Sequence, residues 1–271
     1  LLKENTFWGI EDKVLKAIER IRYFEPQSGL GYYVAFSGGK DSVLIKDLVI
    51  KSGVKYDIHF NFTTVDPPEL LEFIREFHPS IVWHHPKESM FQLIVRKRML
   101  PTRLIRFCCE KLKENTEGQD GRVIITGVRW AESFKRSQRR LFEACRHNLT
   151  RHFLNPIIDW TDNDVWEYIH KNKLPYCCLY DEGFKRIGCI GCPMASNRKA
   201  QFERWPKFEH AYKHAIKKMI ERNKTDYTNG TYKPPKGDAD IALSDVQTIW
   251  DWWTKTNNKQ PNKNTQCMLF E

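Results

Sequence analysis

The residues whose order carries the most chemistry are Ser37-Gly38-Gly39-Lys40-Asp41-Ser42. A β-prone apolar run, Tyr32 to Phe36, precedes them, and a helix is predicted to begin at about Asp41. Glycine N–H groups, a small hydroxyl and a lysine therefore meet at a helix N-terminus. Such a terminus has unpaired donors and partial positive charge, so it suits a phosphate. The two glycines let the main chain approach the anion closely. The string is not a Walker A loop: Val34 stands where that pattern needs its first glycine, and Asp41 follows the lysine in place of Ser or Thr. The alternative is a plain glycine turn between strand and helix.

The second source of chemistry is thiol. Cys108-Cys109 opens a predicted helix, and Cys189-Ile190-Gly191-Cys192 forms a Cys-x-x-Cys turn. Two residues between thiolates let both reach one metal centre. Adjacent cysteines cannot share one helix face, yet they can span two corners of a cluster that meets the helix end. Spacing alone leaves three readings open: unliganded core thiols, a four-thiolate zinc site and an iron–sulfur cluster. Cys145, Cys177 and Cys178 match no pattern and are expected to be small buried hydrophobes.

These residues need a scaffold, and the pattern supplies one. A helix is predicted over 10–23, strands over 31–36, Tyr56–Phe62, Ile81–His85 and Arg122–Val128, and helices to about Lys51, over Glu69–Phe77, 88–99 and 106–116. Alternating strands and helices imply an α/β fold, a parallel sheet with helices on both faces. After about residue 150 the strand pattern fades into helices at 162–171, 197–222 and 243–256. We expect a nucleotide-binding α/β domain over 1–150 and a cluster-binding, mainly helical region over 151–271. The loop 229–240 is polar, and Asn257–Thr265 is expected to be mobile.

A formal charge of +10 over 271 residues points to anionic partners, nucleotide or nucleic acid. No apolar run is long enough to cross a bilayer, and no export signal is expected. Eight cysteines without export suggest reduced thiols at a metal or redox site and a cytoplasmic protein with no membrane partner.

The phosphate-loop string resembles the pyrophosphate loop of the ATP pyrophosphatases, the superfamily that contains the phosphoadenylyl-sulfate (PAPS) reductase family. Tyr180 to Cys189 is similar to the segment leading into the second cysteine pair of that family's cluster-bearing members. Asn155-Pro156-Ile157-Ile158-Asp159-Trp160-Thr161, with Asp164-Val165-Trp166, resembles the stretch before its C-terminal helices. Gly127-Val128-Arg129, with Glu132, Ser133 and Arg136, resembles its nucleotide-facing Gly-x-Arg segment. The likeness covers roughly residues 30–195 and implies an adenine-nucleotide α-hydrolase-like fold. It also implies that Cys108, Cys109, Cys189 and Cys192 hold one [4Fe–4S] cluster.

One departure matters. The family's sulfite-forming reductases attack with a cysteine in a C-terminal Glu-Cys-Gly-Leu-His segment, whereas here the only late cysteine is Cys267, in Gln266-Cys267-Met268-Leu269-Phe270-Glu271. An intact loop implies ATP cleaved between its α- and β-phosphates. Loop and cluster without the reductase thiol resemble the sulfur-transfer branch, acting on DNA or tRNA with sulfur from a cysteine desulfurase. The alternatives are reduction of adenylyl sulfate or PAPS, with Cys267 as nucleophile and a thioredoxin-like reductant, and a non-catalytic nucleotide sensor. Lys40, the Ser37–Gly39 amides and Ser42 would neutralise the departing pyrophosphate. Asp41 and Asp66 could hold Mg²⁺, while Gly127, Arg129, Arg136, Arg139 and Arg140 would face phosphate. Arg96-Lys97-Arg98 and the aromatic residues Phe202, Trp205, Phe208 and Tyr212 on a basic helix hint at nucleic acid. The tail from Gln266 to Phe270 resembles a sliding-clamp docking peptide. Trp250, Trp252 and Trp253 are expected to pack the last helix.

Overall fold

The structure is a computed structural model that describes residues 2–7, 9–26, 29–114, 118–119, 121–145, 150–233 and 243–255. Cys267, the clamp-like tail, the polar stretch before it and most of the 229–240 loop lie outside the described residues. Two compact units are present, each assembled from separate stretches of chain: residues 1–62, 67–85 and 115–188 in the first, 63–66, 86–114 and 189–271 in the second.

The first unit is built on a six-stranded sheet ordered β5-β4-β3-β6-β8-β7. Its strands are β3 (Tyr32–Phe36), β4 (Tyr56–Asn61), β5 (Val82–His84), β6 (Val123–Ile125), β7 (Phe142–Ala144) and β8 (His152–Leu154). All neighbours pair in parallel except the β7–β8 edge, which is antiparallel. A small β1–β2 hairpin, Lys3–Thr6 with Gly9–Asp12, precedes the sheet. The fold class is therefore the one expected. The helix predicted from residue 10 begins at Lys13, because Asp12 caps it by accepting from the Val14 and Leu15 N–H groups. The β7–β8 hairpin has no alternating signature that would have revealed it.

Strand order explains where a ligand can sit. From β3 the chain builds β4 and β5 to one side, then returns to place β6 on the other side of β3. Loops leaving the ends of β3 and β6 therefore diverge and open a crevice, the usual ligand position in such sheets. The opposite ends of these strands are pinned by Arg122, which is 4% exposed. Its guanidinium donates to the carbonyls of Leu30, Gly31 and Tyr32 and pairs with Asp57 on β4. Apolar residues from the sheet (Val34, Phe36, Phe60, Ile125) and the helices α2 (Lys40–Ser52) and α7 (Asp162–Lys171) fill the core, Leu44, Leu48, Val165 and Ile169 among them.

In the second unit α4 (Met90–Lys97) packs on the long α9 (Pro206–Thr228). The helix expected across 197–222 is two helices, because Pro206 cannot continue the shorter α8 (Arg198–Arg204) and instead starts α9. Phe202, Trp205 and Tyr212 are buried, and Phe202 packs on Trp250 of α10 (Val246–Thr254) with ring centroids 4.7 Å apart and planes tilted by 55°. Those helix aromatics are core, which removes them as a base-stacking platform. Trp250 and Trp253 pack as expected, whereas Trp252 is 45% exposed.

His78, at the end of α3 (Pro68–Phe77), is buried between Phe36 and Phe73 and takes a 2.8 Å hydrogen bond from Lys46 Nζ on Nδ1. Burial, with the Lys46 charge beside it, lowers its pKa from 6.5 to about 4. The unfolded chain then binds this proton first, so stability present above pH 6.5 is lost as the pH falls towards 4. The loss is on the order of 2–3 kcal/mol at most. Urea unfolding at pH 6.5 and 4.5 should show a smaller drop in His78→Gln than in the parent protein; equal drops would contradict the assignment.

Candidate functional site

The phosphate loop follows β3 directly, and α2 begins at Lys40. Gly38 has φ 73°, a left-handed backbone, and a Cβ there would come within 2.6 Å of Leu70 and 2.9 Å of Ile74, both on α3. Any side chain would thus be strained twice over. Gly127, after β6, meets a different limit: its Cβ would lie 2.9 Å from Cβ of Asp41. Glycine at this point lets the β6 loop run against the start of α2. Gly38 thus lets the phosphate loop close against α3, and Gly127 lets the β6 loop close against α2.

Lys40 is 5% exposed and its ammonium lies 3.1 Å from Asp162 and 3.6 Å from Asp41. Arg129, 2% exposed, donates through Nε to Asp41 (2.7 Å) and through Nη2 to Asp162 (3.0 Å). Burial would lower the Arg129 pKa, but the Asp41 and Asp162 charges outweigh it and raise the value. Burial likewise opposes ionisation of Asp162, and the bonds from Lys40 and Arg129 overcome it, so its pKa is lowered. Two cations and two carboxylates thus share the head of α2, and an incoming phosphate must compete with Asp162 for both cations.

The Lys40 N–H, one of the donors a helix start leaves free, is taken by the Tyr180 hydroxyl at 2.9 Å. Tyr180 is raised in pKa, chiefly by burial. Ser42 turns its hydroxyl back to the Gly39 carbonyl and accepts weakly from Ser37. Asp162 opens α7 immediately after the Thr161 cap, where Asp164 completes a capping box and is itself held by Lys13 at 2.9 Å. Asp162 and Tyr180 are the site residues that sequence reasoning did not name. The Thr161–Asp164 box, which marks Asp162 as first-turn, was the available signal for one of them.

Ser37, Gly38, Gly39, Lys40, Asp41, Ser42, Gly127 and Arg129 gather as expected. Arg136 goes instead to Glu132, whose carboxylate also accepts the Arg129 N–H. Arg139 pairs with Glu143. Asp66 belongs to the second unit, where it is buried and accepts the Thr63 N–H at 2.7 Å.

The second unit also holds the paired cysteines. Cys108 and Cys109 close α5 (Phe107–Cys109), which continues as a wider turn through Glu110–Glu114 and presents Lys113. The Cys189–Cys192 turn is fastened by Ile190 N–H to Val65, Gly191 N–H to Gln201 and the Tyr212 hydroxyl to Ile190. Cys108 is pushed up in pKa by its hydrogen bond with Cys109, by burial, and by charge on Cys109, Cys189 and Cys192. Cys109 is lowered, first by that bond and then by Lys113 and Arg106. Lys113 is raised, chiefly by its interaction with Cys189, whose own thiol burial pushes up. The two thiol pairs, some eighty residues apart in sequence, therefore lie within electrostatic reach of each other.

Every described cysteine is a free thiol. Among the described residues no three His, Cys, Asp or Glu side chains converge tightly enough for a metal ion. A cluster asks for something different, because each thiolate binds its own iron and the sulfurs need not meet at one point. Cys108, in electrostatic reach of Cys109, Cys189 and Cys192, and Lys113, in reach of Cys189 and Cys109, are compatible with that demand. Elsewhere, Cys177 is buried as expected, Cys145 is half-buried, and Cys178 is exposed, contrary to expectation.

Gly38→Ala should lower the thermal midpoint, by the equivalent of about 1–3 kcal/mol, because it forces a side chain into a left-handed, occupied position. It should also weaken pyrophosphate binding measured by calorimetry. An unchanged midpoint would mean that the Leu70–Ile74 contact is slack.

Residues 31–195, more than half of the chain, match the phosphoadenosine phosphosulfate reductase domain. Two uncharacterized proteins of Methanocaldococcus jannaschii are each 31% identical, over 73% and 70% of this chain. This chain spans only 53% and 42% of their respective lengths. An adenosine 5'-phosphosulfate reductase of Lysinibacillus sphaericus is 30% identical over 69% of this chain and 84% of its own. The crystal structure of phosphoadenylyl-sulfate reductase from Candida auris, a phosphate complex, shares the fold with TM-score 0.50 and 21% identity, over 64% of this chain and 88% of that one. Among the described residues no helix is long and apolar enough to cross a membrane. With the loop, the crevice and the domain match in agreement, the chain belongs to the phosphoadenylyl-sulfate reductase family of pyrophosphate-loop enzymes.

Proposed function

We propose that this chain binds ATP on the Ser37–Ser42 loop and uses it to adenylate an oxygen of a nucleic acid, which sulfur then replaces. The observation that supports this best is the intact loop, with Lys40 and Arg129 both directed to the head of α2. In the first step the acceptor oxygen attacks the α-phosphorus and the bond to the β-phosphate breaks, releasing pyrophosphate. Lys40 and the loop amides would take up the charge of that leaving group. In the second step hydrosulfide, freed from a cysteine desulfurase's persulfide by a dithiol that is oxidised to its disulfide, bonds to the activated atom and AMP departs with the bonding pair of the broken bond. Asp41 and Asp162 are the carboxylates at the loop that could meet Mg²⁺ arriving with the nucleotide.

Cys108, Cys109, Cys189 and Cys192 would hold a [4Fe–4S] cluster, which when bound supplies iron able to bind sulfur or polarise a substrate. Lys113 would offset the negative charge of the four thiolates.

A second reading, reduction of adenylyl sulfate or PAPS to sulfite, is favoured by the relatives named adenosine 5'-phosphosulfate reductase, most of whose length this chain covers. It requires a thiol nucleophile, and Cys267 is the late cysteine available.

The deciding experiment supplies anaerobically purified protein with ATP, sulfide and a mixed oligonucleotide pool, and in parallel with adenylyl sulfate and a thioredoxin-like reductant. Pyrophosphate release that falls about a hundredfold in Lys40→Ala is expected. Sulfite formation abolished by Cys267→Ser, without pyrophosphate release, would overturn the preferred reading. The same preparation should contain about four iron and four sulfide per chain, lost in Cys189→Ser; iron-free protein would refute the cluster.

A further inference from the structure

Beside the phosphate loop lies an open cavity of about 470 Å³ lined by Asp162, Trp166, Tyr180, Gly183, Phe184 and Lys185. Two elements build it. Asp162 and Trp166 are one turn apart on α7 and so share a face. The facing wall is a closed turn in which the Gly183 N–H bonds to the Tyr180 carbonyl and the Phe184 N–H to the Leu179 carbonyl, with Gly183 at φ 91°. That bond pattern is a Schellman closure, and it sets the Tyr180 and Phe184 backbones in a fixed relation. Trp166 and Tyr180 meet edge to face at 5.2 Å. Three aromatic residues therefore line a cavity of ligand size, with the Lys185 ammonium at its exposed margin.

The position of this cavity matters as much as its lining. Tyr180 bonds the Lys40 N–H, and Asp162 pairs with the Lys40 ammonium, so two of its walls touch the phosphate loop. A molecule bound there sits against the phosphates that the loop would hold, where the second reactant of an adenylation must be. Aromatic walls with a cation at the margin suit a planar base attached to a phosphate. The chain leaving Arg129, which also holds Asp162, displays Phe134 at 82% exposure, flanked by Lys135.

We propose that this cavity is the acceptor site, taking one unstacked base of a single-stranded nucleic acid between Trp166, Tyr180 and Phe184, with Lys185 on the adjoining phosphate. The inference rests on the nucleic-acid reading above and assigns its acceptor a place.

Fluorescence anisotropy with short labelled single strands, DNA in one arm and RNA in the other, tests it on the full chain. Phe184→Ala is expected to weaken binding roughly tenfold, with recovery in Phe184→Tyr, and Lys185→Ala to flatten the salt dependence. An abasic position in the strand should weaken binding of the unaltered protein to a similar degree, a comparison independent of any variant. Strands that bind equally well to Phe184→Ala and with an abasic position would overturn the cavity assignment while leaving nucleic-acid binding intact. Phe184→Ala that weakens ATP but not the strands would also overturn it, because the cavity would then hold the nucleotide. No binding of either strand would overturn both this inference and the reading beneath it.

Discussion

The first unit depends on one buried arrangement: the Arg129 guanidinium held between Asp41 and Asp162, with the Lys40 ammonium on the same Asp162 oxygen. These residues come from the loop after β6, the start of α2 and the start of α7. A nearly inaccessible guanidinium is costly unless paired, so the network forces three chain segments to end at one point. That point is the crevice produced by the strand order. The same pairing leaves the site self-satisfied, so an anion binds by exchange for Asp162 and for the Tyr180 hydroxyl on the Lys40 N–H. Exchange of this kind favours ligands with enough charge to replace two partners at once, as a pyrophosphate has.

The second unit solves a different problem. Four thiols brought together would repel one another as thiolates, and Cys108 and Cys109 are shifted in opposite directions, Cys108 up by its bond to Cys109 and by burial, Cys109 down by that bond and by Lys113 and Arg106. The Cys189–Cys192 turn is braced through its own N–H groups, Ile190 donating to the Val65 carbonyl and Gly191 to the Gln201 side chain, while Cys189 Sγ meets the Thr63 hydroxyl at 3.4 Å. An aromatic cluster of Phe202, Tyr212, Trp250 and Trp253 supplies the apolar support.

Legibility followed the range of the interactions. The sheet class was readable because its strands alternate with helices along the chain: β3 is a continuous apolar run, and β4 alternates Tyr56, Ile58 and Phe60 with polar residues. The β7–β8 hairpin was not, since three-residue strands carry too few positions to show a period. Arg136 reads in sequence as a phosphate ligand, and the structure adds its pairing with Glu132, one turn earlier, which no local pattern announces. Aromatic residues at helical spacing on a basic stretch read more readily as core than as a base-stacking platform, and Phe202, Trp205 and Tyr212 are indeed buried.

The amino-acid order by itself determined the local chemistry: a glycine turn before a helix, a lysine at its head, and cysteines spaced for shared ligation. Each of these needs only neighbours in the chain, and backbone sterics enforce them. Only the tertiary structure decided which charges face the loop, that Tyr180 occupies a helix N–H from 140 residues away, and that two residues bonded to Lys40, Asp162 and Tyr180, line an aromatic cavity. Those features are pairings between distant segments, and a linear sequence carries the groups without carrying the distances between them.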